Sequence, residues 1–277
     1  MYNDGILLLN ELPQERNINP QGGYDFNKLH NVLIGKSFST ALTNDINNIH
    51  LLDAYDFVEL PCGEPQELHK QINKCKKCSK AFALHYPSHY SIKTTGGNIL
   101  DNTEKILNNI THYITNYSEC LYIVIHFPFE SFFGTSNIEK EKVFTSFNIF
   151  SNALEEYSKK ILVENLSFHR YCNKGAHFKF LWSTSKTPIK MCFDIGHAFL
   201  VDGMNEIYSF FSKMKNEIVA IHLYNTTRNR QSNAYGKHLN FENLKGEIDF
   251  NDIWAYLKQL PNLNFIIDES ENVIRTI

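Results

Sequence analysis

The chain has 277 residues, of which 43% are hydrophobic, so it can bury one large core and a single α/β domain is expected. Its formal net charge of −3 argues against a dedicated binder of duplex DNA, which needs a strongly basic surface. Six scattered cysteines and the lack of a leading apolar targeting segment indicate a reduced, cytoplasmic protein. Because no run of about 18 apolar residues occurs, we expect no membrane-spanning segment.

Eight short runs of β-branched and aromatic residues alternate with longer segments of helical period. This pattern is typical of repeated βα units and a parallel sheet. Most of the runs are continuously apolar, as expected for strands that are covered on both faces. The predicted strands are Leu33–Ser39, Phe57–Pro61, Ala81–Tyr86, Tyr122–Phe127, Ile161–Asn165, Lys190–Asp194, Val219–Leu223 and Asn264–Glu269.

The segments between the strands place their apolar residues on one helical face. Ile106, Ile110 and Ile114 show this spacing in one segment, and Phe147 and Phe150 show it in the longest one. Eight strands and seven such helices predict a (β/α)₈ TIM barrel. A doubly wound open sheet stays as the alternative, because periodicity does not reveal closure.

Both ends of the chain depart from a regular barrel. The sequence stops at Ile277, too soon after the last strand for a normal eighth helix, so we expect that helix to be missing or replaced. Residues 1–32 are rich in Asn, Pro and Gly but contain the apolar run Ile6–Leu9. We predict that residues 1–32 form an extension that packs on the barrel and that residues 33–277 form the barrel itself.

Strands three to eight each finish on a His, Asp or Glu. In parallel α/β folds the carboxyl ends of the strands form the ligand site. One such residue is usually structural or solvated, but carboxylates and imidazoles together suit Mn²⁺, Mg²⁺ or Zn²⁺, and a cation would offset the cost of burying several carboxylates. The sequence therefore predicts a divalent-metal site. Its candidate residues are His85, His126, Glu164, Asp194, His197, His222 and Glu269.

These residues resemble the xylose isomerase-like TIM barrels. That superfamily holds sugar isomerases and epimerases and also the abasic-site endonucleases of the endonuclease IV type, AP endonuclease family 2. The resemblance covers residues 33 to 270 and depends on six segments in the same order. They are Phe57–Leu60, Val163–Asn165, Asp194–His197, Ile221–Leu223, Gly246–Phe250 and Glu269.

The epimerase branch implies one metal ion and two acid–base carboxylates. By this likeness Glu164 and Glu269 lie on opposite sides of the substrate and transfer protons next to a carbonyl that the metal polarises. The implied metal ligands are Glu164, Asp194, His222 and Glu269. The implied substrate contacts are His197, Arg228, Glu59, His85 and His126.

The endonuclease branch implies three zinc ions. By likeness their ligands are His85, His126, Glu164, Asp194, His197, His222, His238 and Glu269. This chain departs from the pattern at Gly236, where the branch has an acidic ligand two residues before the last histidine. One or two ions are therefore expected rather than three fully ligated zincs.

Two basic loops are predicted above the site. One contains His169, Arg170, Lys174, His177 and Lys179, and the other contains Arg228, Arg230 and Lys237. On a mildly acidic protein they indicate a small anionic substrate, such as a sugar phosphate or a sugar acid. DNA also fits, although duplex contacts usually need a broader basic surface.

Three functional hypotheses follow from the sequence. The first is a metal-dependent isomerase or epimerase of a sugar or sugar phosphate. The alternative is a zinc phosphodiesterase that cleaves abasic DNA, the only hypothesis with a nucleic-acid partner. The third is a barrel that binds a ligand without catalysis. The sugar, the metal and the oligomeric state, including a homo-oligomer, stay open.

Overall fold

The eight apolar runs all form strands, and the strands close into one parallel barrel in sequence order. Closure is completed by β8, which pairs with β1 through Leu33 opposite Phe265 and Lys36 opposite Asp268. The predicted (β/α)₈ barrel is thus confirmed, and the open sheet is excluded. The strands are β1 Leu33–Ser37, β2 Phe57–Pro61, β3 Ala81–Tyr86, β4 Ile123–His126, β5 Ile161–Glu164, β6 Lys190–Asp194, β7 Ile218–Leu223 and β8 Phe265–Asp268.

The computed structural model describes residues 29, 31–38, 55–86, 99–127, 140–153, 155–157, 159–168, 171–187, 189–241 and 243–270. Most of the predicted extension, residues 1–32, lies outside these ranges. Of that extension Leu29 and Val32 are buried against the barrel's core. The rest of the extension, and the predicted absence of a last helix, stay predictions.

Helices follow β2 through β7. They are α1 Pro65–Lys77, α2 Ile99–Asn116, α3 Lys140–Ala153, α4 Gly175–Thr184, α5 Ile195–Asp202, α6 Met204–Lys213 and α7 Phe250–Leu257, with a 3₁₀ turn at Glu155–Tyr157. The β6–β7 connection carries both α5 and α6, which Gly203 separates with a φ of 63°. None of the described helices combines the length and apolarity needed to cross a membrane.

The alternation of side chains along the strands gives the barrel two apolar layers. Leu33, Phe57, Leu162 and Ile267 fill the interior, and a larger core lies between the strands and the helices. Gly35 makes room for Phe57, because a Cβ at position 35 would lie 2.3 Å from that ring. The filled interior directs the polar ends of the described inward-facing side chains, such as Glu164 and His222, to the carboxyl end of the barrel.

A buried ion pair crosses the β1–β8 seam on the outer face. Lys36 Nζ lies 3.0 Å from Asp268 Oδ2 and donates a hydrogen bond of 2.9 Å to the carbonyl oxygen of Ser270. Tyr55 donates its hydroxyl proton to the same Asp268 oxygen at 2.7 Å. These contacts fix the residues on both sides of Glu269, whose side chain faces the interior.

Candidate metal centre

The strand-end residues predicted from the sequence converge at the carboxyl end of the barrel. Strand pairing brings them side by side, since His126 is opposite Glu164 and Asp194 is opposite His222. Among the residues that the structure describes, three groups have ligand atoms within 4.8 Å of one another and could each hold a metal ion. They are Glu59, His85, His222 and Glu269; His85, His126 and Glu164; and Glu164, Asp194 and His222.

Glu164 is the centre of this arrangement. Its Oε2 lies 3.2 Å from Nε2 of His85 and 3.2 Å from Nε2 of His126, and these two nitrogens are 2.9 Å apart. Burial would raise the pKa of Glu164, but His126 and His222 hold it well below its usual range. Glu164 is therefore an ionised carboxylate that faces two imidazole nitrogens on one side.

A second set of donors meets the same carboxylate from the other side. His222 Nδ1 lies 3.4 Å from Glu164 Oε2 and 3.5 Å from Glu269 Oε1. Burial raises the pKa of Asp194. The pKa of Glu269 is raised to about 7 by burial and by Asp194 and Glu164, against an opposing effect of His222. These residues form a cluster of carboxylates grouped around one fully buried histidine.

Glu59 lies beneath two of the histidines. Its Oε1 is 3.2 Å from His85 Nδ1 and 3.1 Å from His222 Nε2, and Tyr122 donates its hydroxyl proton to Oε2 at 3.0 Å. Burial would raise the pKa of Glu59, yet His222 and His85 lower it to about 2. The likeness to the epimerases suggested a substrate contact for Glu59, but its side chain is enclosed by the protein.

The Asp194–His197 spacing has a structural role as well. Asp194 is the N-cap of α5, because its Oδ1 accepts the backbone N–H of His197 at 2.5 Å. His197 Nδ1 lies 2.9 Å from the carbonyl oxygen of Asn165 and 3.3 Å from Glu164 Oε1. Asn165 also exchanges two hydrogen bonds with the backbone of Asp194, so it holds β5 and β6 in register at the site.

His238 and Tyr224 form a stacked pair beside the cluster. Their rings are 3.7 Å apart and nearly parallel, and the Tyr224 hydroxyl donates to Asp194 Oδ1 at 3.1 Å. His238 Nδ1 lies 3.5 Å from Glu269 Oε2. Sequence reasoning missed Tyr224. No sequence signal indicated it; in the structure Gly196 makes room for the ring, because a Cβ there would lie 2.2 Å from it.

Two of the basic residues that were predicted to lie over the site contact other parts of the barrel. Lys179 pairs with Glu217 at 3.5 Å, and Glu217 precedes β7 at the opposite end of the barrel. The prediction that Lys179 overlies the site is therefore wrong. Arg228 lies 3.9 Å from Asp202 at the end of α5 and is half exposed, so its guanidinium faces that helix end. His169 and Arg170 lie outside the described residues.

The donor set fits divalent metal ions. Buried polar atoms are nearly always hydrogen bonded, yet Asp194 Oδ2 and His222 Nδ1 are buried with no hydrogen-bond partner. Both residues belong to one of the three candidate groups, together with Glu164. Imidazole nitrogens and carboxylate oxygens are the ligands that Zn²⁺ and Mn²⁺ bind in proteins. A cation next to these atoms would satisfy both of them.

No protein-family model matches the sequence, and no curated protein matches it. Solved structures do match. A D-tagatose 3-epimerase-like protein has a TM-score of 0.66 at 19% identity, with 87% of this chain and 92% of that chain covered. An AP endonuclease, family 2, from Brucella melitensis has a TM-score of 0.63 at 13% identity, covering 87% and 93%. A xylose isomerase domain containing protein from Salmonella typhimurium has a TM-score of 0.62 at 14% identity, covering 87% and 89%. The chain therefore has the fold of the xylose isomerase-like TIM barrels.

Proposed function

We propose that this chain is a phosphoesterase with two divalent metal ions bridged by Glu164. The observation that carries the proposal is the position of His85 and His126, whose Nε2 atoms both lie 3.2 Å from Glu164 Oε2. Asp194 and His222 meet Glu164 from its other side. A carboxylate between two sets of donors is suited to bridging two ions.

The two ion positions would draw on different strands. His85, His126 and Glu164 would hold one ion, and Glu164, Asp194, His222 and Glu269 would hold the other. Such ions would supply positive charge next to the phosphate oxygens, which lowers the barrier to displacement at phosphorus.

The exposure of the side chains separates the site into two layers. The side chains of Glu59, Glu164, Asp194, His222 and Glu269 are at most 4% exposed. The side chains of His85, His126, His197 and His238 are between 15% and 24% exposed. A substrate thus meets the histidines first. The carboxylates beneath them would hold the ions and would not contact the substrate directly.

Cationic side chains at the same end of the barrel favour an anionic substrate. Lys174 immediately precedes α4 on the loop after β5, and Lys237 adjoins His238. Positive charge around a concave site attracts phosphorylated ligands. We therefore infer a small phosphorylated substrate, such as a sugar phosphate, rather than a long duplex, which needs a broader basic surface.

A metal-dependent isomerase or epimerase is the second candidate. Glu164 and Glu269 lie 3.4 and 3.5 Å from the same nitrogen of His222, so two carboxylates flank one candidate metal ligand. Burial raises the pKa of Glu269 above its usual range, a direction that suits a carboxylate that transfers protons. We place this candidate second, because its carboxylates must touch substrate carbon and both are covered here by the histidine layer.

Metal content and turnover together test the proposal. We expect the chain purified without chelator to hold two ions and to release phosphate or alcohol from a panel of sugar phosphates, a dinucleotide and an abasic oligonucleotide. His126→Ala should reduce the content to one ion and abolish release. One ion in the wild type, with solvent deuterium entering a ketose next to its carbonyl, would instead establish the isomerase. Ligand binding without either reaction would establish a non-catalytic barrel.

A further inference from the structure

Glu59 connects the two proposed ion positions from below. Its Oε1 lies within 3.2 Å of two imidazole rings that belong to different positions, His85 on one side and His222 on the other. We infer that Glu59 is a positioning residue that orients both histidines at once and so couples the two ion positions. This inference deepens the proposed function and depends on it for the second ion.

In each of the two rings, one nitrogen faces Glu59 and the other faces Glu164. His85 presents Nδ1 to Glu59 and Nε2 to Glu164. His222 presents Nε2 to Glu59 and Nδ1 to Glu164 and Glu269. A histidine that binds a metal through one nitrogen usually donates the other N–H to a carboxylate, which fixes the tautomer and the ring direction. His222 Nε2 is hydrogen bonded to Glu59 Oε2 at 3.3 Å, whereas Glu59 Oε1 lies 3.2 Å from His85 Nδ1 without a hydrogen-bond partner. Ions bound at the opposite nitrogens would align both rings on Glu59.

The same distances argue against Glu59 as a metal ligand. Glu59, His85, His222 and Glu269 are close enough for one ion. An ion that used the nitrogens facing Glu59, His85 Nδ1 and His222 Nε2, would leave His85 Nε2 and His126 Nε2 without a shared ion, although these two atoms are 2.9 Å apart. The ring directions favour ions on the Glu164 side and a hydrogen-bonding role for Glu59.

Glu59 is itself held in place by the barrel interior. It lies on β2 opposite Ala83 of β3, and Tyr122 donates to its Oε2 at 3.0 Å. The Tyr122 ring packs edge-on against Phe57 at 5.9 Å, so this donor is fixed by the apolar layer below. A rigid carboxylate at this depth can set the direction of both rings before an ion arrives.

Glu59→Gln tests the inference with little change in shape. Glutamine has one acceptor oxygen in place of two and adds an N–H₂ donor, so it cannot accept from both rings and from Tyr122 in the same geometry. We expect Zn²⁺ to dissociate roughly 10–100 times more readily from both positions, measured by competition with a chromophoric chelator. Tyr122→Phe is the matched control, because it removes one contact to Glu59 but leaves both histidine contacts intact.

Nitrogen-15 NMR of the zinc-loaded wild type supplies an independent readout. We expect ring protons on His85 Nδ1 and His222 Nε2, and a changed chemical shift of both in Glu59→Gln. The opposite tautomer in the wild type would overturn the inference even if the variant failed to fold. Loss of one whole ion with normal affinity at the other would show that Glu59 is a ligand, which also overturns it.

The number of ions bound by the wild type tests the proposed function, whereas the metal affinity of Glu59→Gln tests the role of Glu59. Fewer than two ions in the wild type would refute the two-ion proposal, and the His222 tautomer would still report on Glu59. Two ions in the wild type with unchanged affinity in Glu59→Gln would refute the positioning role and leave the proposed function standing.

Discussion

Replacing Lys36 with methionine tests how the β1–β8 seam is held. The Lys36 side chain is 1% exposed and the Asp268 side chain 12%, so Lys36→Met leaves a carboxylate in the interior without its cation. Removing one partner of a buried pair costs about 3–5 kcal/mol. Asp268 would keep the Tyr55 hydroxyl and the backbone N–H of Ser270 as donors. We therefore expect the free energy of unfolding to fall by about 3 kcal/mol, the lower end of that range, as measured by urea denaturation.

Two further variants show whether charge is the cause. Lys36→Met/Asp268→Asn removes both charges and should recover part of the loss, because no buried ion then lacks a partner. Lys70→Met is the surface control. Lys70 and Glu67 are 3.6 Å apart but 73% and 55% exposed, so we expect a change below about 0.5 kcal/mol. A loss for Lys36→Met no larger than for Lys70→Met would refute the reasoning.

Three other predictions follow from the site. Gly196→Ala forces a Cβ to within 2.2 Å of the Tyr224 ring and should cost about 1–3 kcal/mol in denaturant unfolding, a loss that Tyr224→Ala should relieve. Asp194→Asn should retain the cap of α5 and the free energy of unfolding, whereas Asp194→Ala should lower that free energy by about 1 kcal/mol. Calorimetric titration should show weaker metal binding in both variants. Chelation should lower the unfolding free energy by about 2.7 kcal/mol relative to protein in free metal at about 100 times its Kd. Unchanged unfolding after chelation would contradict tight metal binding.

The strands were predictable because buried parallel strands are continuous apolar runs. Phe57–Pro61, Ala81–Tyr86 and Lys190–Asp194 agree with the structure at both ends, and the others differ by one or two residues. Closure was not predictable from the runs, since the seam strands β1 and β8 have the same apolar pattern as edge strands. Lys36 is a charged residue inside an apolar strand, but its partner Asp268 on β8 is evident only from the structure.

The ends and caps of two helices were not predictable from the apolar pattern. The apolar spacing of Phe147 and Phe150 predicted one helix here, but α3 ends at Ala153 and a separate 3₁₀ turn covers Glu155–Tyr157. No separate helix was predicted at α5. Asp194 was predicted there as a strand-end metal ligand, but it is also the N-cap of the next helix.

The site was predictable at the level of strand ends and no further. The rule that ligands bind at the carboxyl ends brought His85, His126, Glu164 and His222 together correctly. Sequence spacing identifies the strand but not the depth of a side chain or the direction of a ring. For that reason it did not reveal that Glu59 lies beneath the histidines, or that Arg228 faces the end of α5.

The charges of the cluster explain how these carboxylates can be buried in a stable barrel. Burial alone would favour a neutral Glu164, yet its pKa is held well below the usual range by neighbouring histidines. Burial likewise opposes charge on His85, but contacts with Glu164 and Glu59 raise its pKa to about 10. Imidazolium therefore offsets carboxylate when no metal is bound. Because the apolar interior and the outer core are complete without the cluster, we expect the barrel to fold without an ion, unlike domains whose metal replaces a core. We expect a cation that binds the site to do so after folding and to displace protons already held there.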